Sequence, residues 1–113
     1  MTGALTLPLR VVSEANRRDH WATKAKRARA QRHAVAWAWS AESLPHGRKP
    51  ALVVLTRYAP RKLDDDNLAG AFKAVRDEVA LQCGFDDRDE AVRWVYAQER
   101  AKECGVRVEV TWP

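Results

Sequence analysis

The clearest periodic signal in the chain lies between residues 64 and 84. Leu68, Phe72, Val75 and Val79 recur at i, i+4, i+7 and i+11, the spacing of one apolar stripe along a helix. Asp66, Gly70, Lys73 and Asp77 repeat the same intervals two residues earlier. At roughly 100° per residue that offset is about 200°, so they line the opposite face. The pattern predicts a helix from Asn67 to Cys83, with aspartate at its start and Gly84 as its stop.

Alternation by two predicts strands elsewhere. Residues 3–12 read as a first strand, with Pro8 marking an edge position or a bulge. Residues 51–58 (ALVVLTRY) form a second, apolar without interruption at its start and alternating afterwards. Residues 91–98 form a third, with Val92, Trp94 and Tyr96 on one face. In the last, Val106, Val108, Val110 and Trp112 alternate with Arg107, Glu109 and Thr111. The last two strands are expected to pair as an antiparallel hairpin. Between the first two strands, Asp19 to Ser40 is Ala-rich and free of Pro and Gly, which predicts a helix. Trp21, Ala25, Ala28 and Arg32 share one line and Ala30, Ala34, Trp37 and Ala41 another, so its stripe is less clean, and Trp37 and Trp39 are expected in core or interface. The order is β-α-β-α-β-β, an α+β domain with helices packed on a mixed sheet.

Length adds that 113 residues support one domain, 1–113, with one core. No run approaches the roughly 18 apolar residues of a membrane span, and residues 1–12 lack a signal-peptide layout. Cys83 and Cys104 have no CxxC spacing and no nearby His, and His20, His33 and His46 have no ligand spacing. A zinc enzyme is therefore disfavoured, and the cysteines read as reduced thiols of a cytosolic protein. No nucleophile-elbow motif is present.

Charge changes the picture more. Residues 1–62 hold 13 Lys and Arg against 3 acids, while residues 63–113 hold 7 against 12. A basic half beside an acidic focus suits a polyanion held against a cation-binding site, although a basic, inert surface has the same composition. The acidic focus is Asp64, Asp65 and Asp66 at the helix start, with Asp86 and Asp87 beyond its end. One Asp caps a helix, but three in a row repel unless a cation sits among them. An EF-hand is excluded, because its required Gly and closing Glu fall on Ala69 and Val75.

The block LDDDNL…K…RD…GFDDRD, followed by a V-R-W strand and a V-x-V-x-V strand, resembles the RusA-type Holliday-junction resolvases. The resemblance covers most of the chain. It implies a homodimeric endonuclease that nicks four-way DNA junctions symmetrically with Mg²⁺, Mn²⁺ being a possible substitute. It places the protein in the cytoplasm of a bacterial or phage-infected cell, with no organic cofactor and no membrane partner. The family's essential acids fall on Asp64, Asp66 and Asp87, which the resemblance makes the metal ligands. Asp65 then points away or supports them. The family lysine position holds Gly70, and Lys73 stands one turn later on the face of Asp66, where it would stabilise phosphate charge. Arg17, Arg18, Lys24, Lys26, Arg27, Arg61 and Lys62 are the candidate phosphate contacts on DNA. Two other readings remain open: a non-catalytic basic DNA-binding protein, and a metal-dependent nuclease for other branched DNA.

Helix length sets a further expectation. A straight helix from Asn67 to Cys83 spans about 24 Å, and four residues reach back at most about 14 Å. Asp87 then joins Asp64 and Asp66 either across a two-fold dimer, the favoured arrangement, or within one chain if the helix breaks near Gly70.

Overall fold

The structure, a computed structural model, describes residues 1–13 and 20–113; Arg17 and Arg18 lie outside them. Seven elements follow in order: β1 (Thr2–Leu7), α1 (Trp21–Ala41), β2 (Leu52–Ala59), α2 (Asp65–Ala71), α3 (Lys73–Cys83), β3 (Arg93–Arg100) and β4 (Gly105–Thr111). They form a single α+β domain built on one mixed sheet, with strand order β1-β4-β2-β3. β4 runs antiparallel to both β1 and β2, and β2 and β3 are parallel. A parallel pair needs a long crossover, and α2 with α3 supplies it.

The expected β3–β4 hairpin does not form. β2 lies between them, pairing Leu55 with Tyr96 on one side and with Val108 on the other. The cue was the uninterrupted apolar start of β2, where Val53 and Leu55 are wholly buried. An uninterrupted apolar run suits an interior strand with a neighbour along each edge, although only the Val53 and Leu55 face is wholly buried and Leu52 and Val54 on the other face are half-buried. Residues 101–104 cross the end of β2, where the Ala101 N–H bonds the Ala59 carbonyl at 3.0 Å.

The acidic helix follows its stripe. Leu68, Phe72, Val75 and Val79 are buried in the core with Leu55, Val108 and Val110. It is not one rod, however. It starts at Asp65 and bends at Phe72, whose φ and ψ of −91° and 3° leave helical values. Phe72 is completely buried and stacks on Tyr96 of β3 with ring centroids 6.0 Å apart. Packing that ring on the sheet accounts for the bend, and the helix resumes as α3.

In α1 neither of the two lines is the buried face, and of the two tryptophans expected in core or interface only Trp39 is buried. Gln31, Val35, Ala38 and Trp39 face inward, while Trp21 and Trp37 are exposed. Alanines distributed all round the helix left its inward face unspecified. Trp39 fixes it by meeting Trp112 edge-on at 6.3 Å and donating from Nε1 to the Pro45 carbonyl. Arg32 on α1 reaches the buried Glu78 of α3 at 3.0 Å and joins the two helices. β1 stops before Pro8, as a residue without an N–H requires at a sheet edge. Among the described residues no helix is long and apolar enough to cross a membrane.

Candidate acidic and basic site at the strand ends

β2 and β3 are parallel, so their carboxyl ends lie together, with Ala59 paired to Arg100. The chain leaving β2 is fixed there by three side chains. Arg57 Nη1 donates to the Arg61 carbonyl at 2.7 Å, and Arg100 Nε donates to the Pro60 carbonyl at 3.4 Å. Gln98 bonds Leu63 twice, accepting from its N–H at 3.0 Å and donating to its carbonyl at 2.7 Å. The residue before Asp64 is thus tied to β3 as firmly as a strand neighbour. The crevice beyond the carboxyl ends of parallel strands is where α/β sheets commonly bind ligands.

Asp64 occupies the N-cap of α2, yet its side chain makes no capping bond; only its carbonyl accepts, from Asn67 and Leu68. Asp65 and Asp66 follow in the first turn, and all three are exposed. None makes a side-chain hydrogen bond or ion pair with the described residues. Side-chain capping bonds therefore do not account for the triplet, although Asp65 and Asp66 stand in the first turn, where the helix dipole favours acids. The donor chemistry, adjacent carboxylate oxygens with no other partner, fits a hard divalent cation.

Asp87 is brought back alongside α3. Arg76 donates from Nη2 to the Asp87 carbonyl at 2.5 Å, and Arg76 Nε lies 3.5 Å from the Asp87 carboxylate. Arg76 also donates from Nη1 to the Tyr96 hydroxyl at 2.6 Å and lies over the Trp94 ring at 4.5 Å. Arg76 therefore fastens the Asp87 loop to Tyr96, while Gln98 fastens the Asp64 segment. These anchors are two positions apart on one face of β3, a strand advance of about 7 Å. Even so, among the described residues no group of three or more His, Cys, Asp or Glu is placed to hold a metal ion. Asp64 and Asp66 are neighbours at one end of α2, and the Asp87 carboxylate faces Arg76 Nε at 3.5 Å.

The other carboxylates of the loop have structural work. Asp86 accepts from the Arg88 side chain and then its backbone N–H, and these bonds hold its carboxyl below the usual range. Asp89 bonds Lys49 Nζ at 2.8 Å and the Ala91 N–H at 2.9 Å, with the same effect.

Of the basic candidates, Lys24 and Lys73 share a groove. With Gln31, Arg32, Gly70 and Asp77 they line a groove of about 260 Å³ between α1 and the bent helix. Lys73 Nζ is paired with Asp77 at 3.2 Å, and its side chain is largely exposed. Lys26, Arg61 and Lys62 are exposed, and Arg27 is half-buried. Arg57, Arg76 and Gln98 were missed in the sequence. Arg57 had a signal, because it shares the inward parity of Val53, Leu55 and Ala59 on β2 and is only 8% exposed. Arg76 and Gln98 had none, since their roles depend on partners 20 and 35 residues away.

No protein-family model and no curated protein matches the chain. Among solved structures, it is similar to thiamine monophosphate kinase from Aquifex aeolicus, with 12% identity and a TM-score of 0.43. The match covers 96% of this chain and 31% of the kinase. A second structure, of AaThiL complexed with AMPPCP and TMP, matches with the same identity, coverage and TM-score.

Proposed function

We propose that the protein is a magnesium-dependent endodeoxyribonuclease of the RusA type, cutting four-way DNA junctions by paired phosphodiester hydrolysis. The observation that carries this reading is the Asp64–Asp66 triplet, without a side-chain partner among the described residues and held at the carboxyl ends of β2 and β3. Asp64, Asp66 and Asp87 would hold the ion, with Mn²⁺ an alternative. When bound, it neutralises charge on the scissile phosphate and makes a water nucleophilic. Gln98 and Arg57 set where the first two carboxylates stand, by fixing Leu63 and Arg61. Arg76 orients the segment bearing Asp87. Lys24 and Lys73, with Lys26, Arg27, Arg61 and Lys62, present positive charge to the DNA backbone; such contacts position a duplex without reading its sequence.

A second reading, a non-catalytic DNA-binding protein, is favoured by one observation: the described residues of a single chain do not assemble three carboxylates around one point. A synthetic four-way junction separates the two readings. With Mg²⁺ the protein should give paired nicks, none in EDTA, and Asp66→Asn should abolish nicking while junction binding persists. Binding without nicking under any metal condition selects the second reading. Flap and linear substrates test whether branched DNA other than the four-way form is preferred.

A further inference from the structure

We infer that the cleft formed by Arg10, Arg57, Arg61 and Cys104 binds a phosphate oxyanion. In the nuclease reading, on which this assignment to DNA rests, it is a backbone phosphate close to the bond that is cut. The cleft measures about 380 Å³ and is completed by Ala59 and Pro60. Three arginines line it, and among the described residues no acidic residue does.

Arg57 is the unusual member. It points inward from the central strand and is 8% exposed. Its Nε donates to the Val11 carbonyl at 3.3 Å and its Nη1 to the Arg61 carbonyl at 2.7 Å. Two carbonyls orient a guanidinium but do not neutralise it, and among the described residues no carboxylate lies within ion-pair distance. A charge withdrawn from water is costly unless it is paired. Burial is the main influence holding the Arg57 pKa below its ordinary value; the Cys104 sulfur opposes it and the charge of Arg10 reinforces it.

An anion between the three arginines removes the deficit. The forked guanidinium matches the paired oxygens of phosphate better than a spherical halide. The location points to DNA as the source. Arg61 is three residues before Asp64, a chain reach of at most about 11 Å, and both belong to the segment that β2 and β3 fix. A strand with one phosphate at Asp64 therefore has another within reach of this cleft.

Cys104 gives a direct readout. It is half-exposed in the cleft wall, while Cys83 is fully buried, with its thiol pushed up to about 12. Alkylation of the native protein by neutral iodoacetamide therefore reports on Cys104. Inorganic phosphate should slow that reaction several-fold and saturably, whereas sodium chloride at matched ionic strength should not. Arg57→Met risks the fold, so the exposed Arg10→Gln and Arg61→Gln carry the test; each should raise the half-protecting phosphate concentration several-fold without moving the urea midpoint. Equal slowing by chloride and phosphate, or an unmoved half-point in both variants, overturns the site. A metal-free four-way junction should protect Cys104 as well. Protection by phosphate but not by the junction would assign the cleft to a free phosphate and overturn its role on DNA. Protection by a junction that is never nicked would keep the site and remove the nuclease reading.

Discussion

Gly84 closes α3 in the left-handed region at φ 71°, and a Cβ built on it would lie 3.1 Å from Gly47 Cα. Gly47 also has a positive φ, 68°, but a Cβ there would meet nothing within 4 Å. The two positions therefore separate backbone strain from crowding. Gly47→Ala should cost about 1 kcal/mol from the left-handed conformation alone. Gly84→Ala should cost more, about 2 kcal/mol, because the Gly47 backbone must also give way. Urea midpoints at unchanged m-value measure both; equal losses would remove the crowding argument. The role of Gly84 was legible because a helix stop is a local matter of one residue without a Cβ. The same holds for Leu68, Phe72, Val75 and Val79, whose spacing alone put them in the core. Arg57 was half legible. Its parity placed it inward, but what that charge faces depends on Val11 and Arg61, and no local pattern encodes them.

At the level of elements, the strands and helices were readable and their pairing was not. Alternation located β4 to within a residue, since Val106, Val108 and Val110 are all wholly buried. Alternation says nothing about which edge a strand takes, so chain proximity suggested a hairpin where β2 intervenes. The bend at Phe72 was likewise outside local rules, because its cause is Tyr96, 24 residues away. The crossover that carries the candidate site is closed by loop contacts at the other end of the sheet. Lys49 Nζ bonds Asp89 at 2.8 Å, tying the chain before β2 to the chain before β3. The Lys49 bond, followed by the Ala91 N–H, depresses the Asp89 carboxyl. A depressed folded-state pKa contributes stability that is present above the ordinary carboxylate value and lost as pH falls through the folded value. In Lys49→Met, Asp89 should titrate nearer its ordinary value by carboxyl NMR. The stability gap between wild type and variant should then be widest near neutrality and shrink in acid. A gap that does not change with pH would show that the bond contributes nothing.

For the whole molecule, the question is how many chains make one site. The sequence displayed the charge asymmetry, but folding mixes the two halves: Lys24 of α1 lines a groove with Lys73 and Asp77 of α3. The helix is interrupted at Phe72, so it is not the straight rod on which the length argument rested, and Arg76 holds the Asp87 segment against α3. Those two features answer part of the helix-length problem within one chain. They stop short of a site: among the described residues no group of three or more His, Cys, Asp or Glu is placed to hold a metal ion. In the proposed homodimer, a second copy related by a two-fold axis would present its own Asp87 loop to the first copy's triplet, and the reverse, since such an interface is self-complementary. Mixing two inactive variants tests the arrangement. In a heterodimer of Asp66→Asn with Asp87→Asn, sites completed across the interface would comprise one with both substitutions and one with neither. Nicking of a four-way junction should then return on mixing, one strand at a time, because only one wild-type site exists per dimer. Sites contained within each chain would leave every site with one substitution, and the mixture would stay as inactive as its components. Subunit exchange is confirmed independently by mass spectrometry of the mixed dimer, so that silence in the nicking assay counts against the shared site rather than against mixing.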